Sequence, residues 1–384
     1  MMEMATRNFD IAIIGAGIIG LAHAYCAARR GKRVVVIDKD VRANGASIRN
    51  FGFITVTGQE RGLSWELARQ TRDAWAEIAP KAGIPILQQG LVLTMRYPES
   101  LVLAQAFLKT EMGDACHFLT RDQLMTQYPE ISAPDTLGAL VSPHELRVES
   151  RTAIPLLTSW LHHQWGVTFM TETAALAVDG ARIQTSQGDI HADAAIICPG
   201  DDFTTLYPER LAKFALRRCR LSMLRLAASD LHLTRPVMSD LSLVRYRGYA
   251  ALPEAAPLLA RLKQSHAEHL DNGVHLIAVQ SADGSLVVGD SHHYDKLPDP
   301  FAPTYAETLI LDEFQAATGC RPADVIERWV GTYAVADDRT FLMDAPNEYV
   351  RIVIVTSGTG ASTCFGIAER TLTDLFGPKI GARS

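Results

Sequence analysis

No C-x-x-C pair occurs in this chain, and its six cysteines, Cys26, Cys116, Cys198, Cys219, Cys320 and Cys364, are scattered. That scatter argues against a zinc ribbon and against a disulfide framework, and it fits a reducing compartment. Aromatic residues make up only 7%, and the net charge is −6 over 384 residues, so nothing in the bulk numbers draws the chain toward nucleic acid. Repeats, low-complexity tracts and a long linker are also missing. A chain of 384 residues can bury a large core and is expected to hold two domains, which must interleave if no linker separates them.

Charge is missing locally as well. Ile11 to Ala28 is eighteen residues without a charged side chain, preceded by Arg7, and three readings compete for it: a membrane anchor, an export signal and a nucleotide site. A spanning helix wants about 20 solidly apolar residues and a signal an uninterrupted apolar core. Gly15, Gly17, Gly20, His23 and Tyr25 interrupt both. The third reading uses these residues. "IAIIG" is a buried-strand pattern, the glycines stand as G-x-G-x-x-G, and "VVVID" is a second strand after a helix-length gap, which together make a βαβ unit with a phosphate turn. Gly15 allows the tight turn, Gly17 lets the backbone approach a pyrophosphate, and Gly20 lets the helix that opens at Ile18 and Ile19 pack closely. Asp38, followed by Lys39, ends the second strand where a carboxylate can accept from ribose hydroxyls. No other stretch resembles a targeting segment, so a cytoplasmic protein without a transmembrane segment is expected.

Further along, Leu63 to Lys81 and "SRTAIPLLTSWLHHQWG" read as helices, and "GLVLTM" as a strand. Cys219 to Asp290 reads as strand-rich through "RLSMLRL", "SLVRYRGYAAL" and "SLVVGD". The chain closes on a buried strand, a glycine turn and a helix. The N-terminal fingerprint, the middle "AAIICPG" strand and the late "VIVTSGTG" unit look like separated parts of one sheet. A nicotinamide enzyme usually keeps that fold contiguous, so the ordering favours a flavin. The expected fold is α/β: a Rossmann-like, doubly wound FAD-binding domain over 1–85, 145–215 and 325–384, with an interleaved antiparallel-sheet substrate domain over 86–144 and 216–324.

These segments resemble the D-amino-acid oxidase superfamily of flavoproteins, which includes glycine oxidase, sarcosine oxidase and bacterial D-amino-acid dehydrogenase. Four stretches carry the resemblance. The first is "GAGIIG" with Asp38. The second is "GASIRNFGFI", similar to an S-x-x-N-A-G segment, which implies Ala46, Ser47, Arg49, Asn50, Phe51 and Gly52 beside the pyrophosphate and flavin ring. The third is "TETAALAV" followed by "ADAAIICPG", which implies an adenine contact near Ala175 and a close backbone approach at Pro199 and Gly200. The fourth is "WVGTYAVADDRTFLMD" with "SGTGASTCFG". It implies the flavin ring beside Gly331, and backbone N–H groups from Gly358 through Thr359, Gly360, Ala361 and Ser362 to Thr363 facing its N1 and O2 edge.

The resemblance implies oxidation of an amine C–N bond by hydride transfer to flavin N5, hydrolysis of the imine to a carbonyl compound, and oxygen or a quinone as electron acceptor. It also exposes departures. Where many members hold a substrate carboxylate with arginine, this chain has Tyr333, which puts an ordinary α-amino acid in doubt and leaves Tyr333 to bond the substrate or pack on the flavin. Where sarcosine oxidases attach flavin through cysteine, it has Gly331, so FAD is expected to be non-covalent. "SPHELRVESRTAIPLL" and "GTYAVADDR" resemble a subgroup proposed to oxidise aminophosphonates. Donors for an anionic head are sought among Arg49, Arg220, Arg245, Tyr246, Arg247 and Tyr249, with Arg49 first because it lies in the flavin-facing loop; the bland reading of the others is a solvated face. His292 and His293 read as turn or pocket-rim residues with no metal; Glu145 and Glu149, four apart, could share one side of a helix, but surface or capping charges are the favoured reading. The expected protein is an FAD-dependent oxidoreductase acting on a small anionic amine. The alternatives are a D-amino-acid dehydrogenase or sarcosine/glycine oxidase type that binds a carboxylate through a relocated arginine, and a non-catalytic flavoprotein.

Overall fold

The computed structural model describes residues 8–131 and 133–378; Arg7, the charge flanking the apolar run, lies outside them. Strand Asn8–Ile14 pairs in parallel with both Val34–Ile37 and Gly188–Ile197, and Gly188–Ile197 pairs in parallel with Val350–Val355. The three separated sequence segments are therefore neighbours in one sheet. Its two faces are covered differently. Ile11, Ile13, Val34 and Val36 pack with residues of helices Ile18–Ala28, Leu63–Lys81, Ser150–Trp165 and Gly360–Phe376. Ala12, Val35 and Ile37 pack on the other face with Ala175, Val178 and Ile183 of the hairpin strands Ala175–Asp179 and Arg182–Thr185. A strand covered on both faces needs apolar residues at every position, which is why it shows no alternation. Ile18–Ala28 is uncharged for the same reason: nearly every residue of it is buried. Among the described residues no helix is long and apolar enough to cross a membrane.

A second sheet carries the order Val325–Val335, Arg217–Leu226, Leu286–Asp295, Ile277–Gln280, Val237–Met238, Ile86–Met95, Gly138–Val148 and Phe53–Ile54, with His117–Thr120 also on Gly138–Val148. Val325–Val335, grouped by sequence with the nucleotide part, hydrogen-bonds in this sheet, and its Val335 bridges to Ser357. Register fixes what shares a face. Cys219 pairs with both Tyr294 and Tyr333, and Leu221, two residues on, pairs with both His292 and Gly331. The pairing then slips between Ser222 and Met223, whose partners are Ser291 and Gly289, so Asp290 is the extra, unpaired residue of a bulge.

Three local expectations give way. "SLVRYRGYAAL" is not a strand but parts of two short helices, Asp240–Arg245 and Arg247–Ala250. Tertiary contacts decide it: buried Asp240 accepts from Arg96 Nε at 2.9 Å, and at Gly248 a Cβ would stand 2.3 Å from the Gln59 carbonyl oxygen. Glu145 and Glu149 do not share a helix. Glu145 is fully buried in strand Gly138–Val148 and accepts from Thr57 N at 2.7 Å, while Glu149 precedes helix Ser150–Trp165 and pairs with Arg147 at 3.0 Å and Arg225 at 3.3 Å. His292 and His293 lie in strand Leu286–Asp295, not in a turn.

Candidate active site

Between the sheets lies one cavity of about 900 Å³, lined by both. Its nucleotide end starts at Gly15, where φ is +106° and a Cβ would meet the Cys198 carbonyl oxygen at 2.4 Å. At Gly20 a Cβ would lie 1.8 Å from the Gly15 carbonyl oxygen, so turn and helix touch through backbone alone. At Gly17 it would stand 2.9 Å from Ser47 Oγ, which accepts from Ile18 N at 2.9 Å. The Asp38 carboxylate, expected from sequence to face a ribose, accepts from Ala16 N at 2.6 Å and from Asp40 N at 2.9 Å, which ties the turn to the second strand. A second glycine turn meets the first. Gly358 has φ +74°, and Tyr333 Cζ lies 2.9 Å from where its Cβ would be. Helices Ile18–Ala28 and Gly360–Phe376 both open on this cavity with N-cap residues whose own side chains do not cap them, so the first-turn N–H groups other than that of Ile18, which Ser47 Oγ takes, suit the anionic pyrophosphate and the electron-rich flavin edge. The residues present thus fit FAD.

The remaining cofactor candidates sort cleanly. Ile19, Lys39, Ala46, Asn50, Phe51, Ala175, Pro199, Gly200, Gly331, Thr359, Gly360, Ala361 and Ser362 line the cavity. Gly52 and Thr363 do not line it. Gly52 turns the chain beneath it, at φ +68°, with the Val148 carbonyl oxygen 1.7 Å from where a Cβ would be, and Thr363 Oγ1 donates to the Thr359 carbonyl at 3.0 Å.

At the other end stand Arg245, Tyr246, His275, Asp290, His292, Tyr294 and Tyr333. Arg245 ends its short helix and opens into the cavity, its guanidinium carbon 5.7 Å from the Tyr294 ring centroid. Among the described residues it forms no salt bridge. Burial opposes its charge, but Tyr294, Tyr333 and Asp290 outweigh that and raise its pKa. Arg49 also lines the cavity, yet its guanidinium is engaged at 3.3 Å with both the Val330 carbonyl and Asn44 Oδ1. Arg245, not Arg49, is the uncommitted cation here. Arg220 is held away from the cavity by the carbonyls of Asp299 and Phe301, and Arg247 rests near Glu60 and on the Asp337 carbonyl. Tyr249 does not line the cavity: it is fully buried, with its ring centroid 4.6 Å from that of Phe107 and its hydroxyl without a hydrogen-bond partner.

Burial pushes the Asp290 carboxyl up to about 7, against the pull of Arg245. Burial and then Arg245 press His275 down to about 3 and His292 well below its ordinary value, so both imidazoles are neutral at neutral pH. Burial likewise raises the Tyr246 and Tyr333 hydroxyls, which remain protonated donors. Sequence reasoning passed over His275 and Asp290. The one available signal was the alternation of Asp290 and His292, which share a strand face, and a bulge cannot be read from one sequence.

Residues 10–375 match the family described as DAO: FAD dependent oxidoreductase. N-methyl-L-tryptophan oxidase of Salmonella heidelberg (strain SL476) is 26% identical over 211 residues, 53% of this chain and 56% of that protein, so the chain spans about half the length of the curated relatives it matches. Glycine oxidase from Bacillus cereus ATCC 14579 superposes with a TM-score of 0.76 at 16% identity, over 96% of this chain and 95% of that one. L-proline dehydrogenase from P. horikoshii gives 0.78 at 14%, over 96% and 94%. At such identities these likenesses speak for the fold. The family match runs through every segment that builds the cavity, and the chain therefore belongs to the DAO family of FAD-dependent oxidoreductases.

Proposed function

We propose that this protein oxidises the C–N bond of a small amine carrying an anionic head, with an aminophosphonate as the leading substrate class. The observation that carries the reading is Arg245, a cation without a salt bridge that opens into the same cavity as the two glycine turns. FAD, when bound, supplies the hydride acceptor. Arg245 would clamp the head, and Tyr246 and Tyr294 stand on the same wall as further donors. A phosphonate offers three acceptor oxygens, so several converging donors suit it better than a single fork. Tyr333 takes a second part: packed against Gly358 and protonated, it limits the room beside the flavin turn. Loss of the proton and hydride from the amine gives an imine, which water converts to a carbonyl compound. Oxygen or a quinone would reoxidise the cofactor.

Non-covalent binding of FAD is part of the same proposal, and the lack of a cysteine at Gly331 supports it. At Gly331 there is no thiol to form a tether, and a Cβ there would stand a tight 3.0 Å from the Arg49 carbonyl oxygen. Cys198, which does line the cavity, is held as a neutral thiol by burial.

A second reading has its own support. The names of the relatives include amino-acid oxidases, and a guanidinium fork matches a carboxylate in a bidentate pair, so Arg245 could be the relocated arginine of a sarcosine or glycine oxidase type. Anaerobic titration with glycine and its isostere aminomethylphosphonate separates the two. Faster bleaching of the yellow flavin by the phosphonate supports the first reading; equal or faster bleaching by glycine overturns it in favour of the second. No bleaching by any anionic amine removes both.

A further inference from the structure

His275, Asp290 and His292 form a buried cluster on the wall next to Arg245, and amine oxidation as derived above gives them no part. Their polar atoms converge. His275 Nε2 is 3.3 Å from Asp290 Oδ1, His292 Nε2 is 3.6 Å from Asp290 Oδ2, and one nitrogen or oxygen from each residue lies within 4.8 Å of the others. A tetrahedral zinc ion with bonds of about 2.0–2.1 Å sets its ligands roughly 3.4 Å apart. The 3.3 Å contact to Asp290 Oδ1 matches that edge, and the 3.6 Å contact, slightly longer, is made to the other carboxylate oxygen.

Hydrogen bonding within the protein does not account for the arrangement. Asp290 Oδ1 and His275 Nδ1 are buried without hydrogen-bond partners. His292 Nδ1 stands 2.8 Å from the Gly273 carbonyl, which can only accept, so that nitrogen carries the proton and Nε2 turns a bare lone pair toward the carboxylate. An imidazole lone pair facing a carboxylate in a buried site calls for a proton or a metal cation between them. A backbone carbonyl on the far nitrogen is also the usual support of a metal-bound histidine. The bulge leaves Asp290 outside the strand pairing and on the strand side shared with His292.

We propose that His275, Asp290 and His292 bind a divalent transition-metal ion of the zinc class, with its remaining coordination position open to the cavity. Two imidazoles and one carboxylate are a donor set suited to such an ion. With Arg245 nearby, the ion leaves this end of the cavity positive, so an oxygen of the anionic head would complete the coordination. That last step rests on the proposed substrate class; binding of the ion does not.

The test uses the flavin-loaded protein, freed of metal with a chelator and titrated with Zn²⁺ by calorimetry, and with Co²⁺ to read ligand-field bands. One ion per chain is expected, with His275→Ala and His292→Ala each weakening binding on the order of 100-fold while the flavin spectrum, which reports the fold, stays unchanged. Wild-type protein that takes up no ion overturns the proposal and leaves a shared proton between the three groups. Binding that persists in the His275→Ala, His292→Ala double variant overturns it too, by placing the ion elsewhere. Methylphosphonate added after Zn²⁺ tests the coupling separately: tighter ion binding supports the head-group step, and unchanged binding removes that step without touching the site.

Discussion

At its nucleotide end the cavity is bounded largely by the backbone of short glycine turns, whereas at its substrate end it is bounded by the side chains of Arg245, His275, Asp290, His292, Tyr294 and Tyr333. The first end works by exclusion: Gly15, Gly17 and Gly20 leave no side chain between the backbone and the gap. The second works by inclusion, with a guanidinium, phenols, imidazoles and a carboxylate set along strands whose register places them in rows. An end made by exclusion tolerates almost no added atom. An end made of side chains can exchange one for another and change substrate while keeping its fold, which is how related enzymes come to differ.

Substitutions that attack each end should separate these two modes of construction. The largest effect is expected from Gly20→Ala, because its Cβ would fall 1.8 Å from a backbone oxygen that cannot move without the turn. The purified variant should be colourless, with FAD affinity lowered on the order of 100-fold or more by fluorescence titration. Gly17→Val should behave the same way through its clash with Ser47 Oγ. Next comes Arg245→Met, which should leave flavin content intact and raise KM for an anionic amine about 30- to 150-fold, as expected when a charged hydrogen-bonding pair is lost. Steady-state kinetics checks it.

Asp38→Ala should fall below that. It removes the acceptor for Ala16 N and weakens FAD binding by about tenfold, which equilibrium dialysis would read. Arg49→Ala is expected to change KM by less than about fivefold, because its guanidinium contacts are long and made to the protein's own oxygens. The smallest effect belongs to Tyr249→Phe. It removes a buried, unpartnered hydroxyl, so kcat and KM should not move, and denaturant unfolding should show stability unchanged or higher by about 1 kcal/mol. A large KM change in that variant would return Tyr249 to the substrate wall.

The same contrast explains what could be read from sequence. "GAGIIG" with "VVVID" announces itself because its meaning is local: strand, turn and helix follow one another, and the glycines are required by contacts within one turn. The separated strands Gly188–Ile197 and Val350–Val355 were legible as apolar runs ending in glycine, since a strand buried on both faces must look that way. Helices Leu63–Lys81 and Ser150–Trp165 were legible from their spacing of apolar residues. The substrate end was not. Arg245 stood among six candidates with nothing to raise it, because its lack of a salt bridge among the described residues is a property of the folded chain. Asp290 depends on a bulge, and the two short helices around Tyr246 are set by Arg96 and Gln59, far away in the chain.

The account turns on whether the cation at the substrate end recognises the head of the amine that the nucleotide end serves. Rapid mixing under anaerobic conditions measures it most directly, by comparing the rate of flavin bleaching with aminomethylphosphonate and with ethylamine, which lacks the anionic head, in wild-type protein and in Arg245→Met. The account predicts a strong preference of the wild type for the phosphonate that falls by about 30-fold or more in the variant, with the flavin still bound and still reduced by dithionite. A preference left unchanged in Arg245→Met would contradict it and place the anionic head elsewhere.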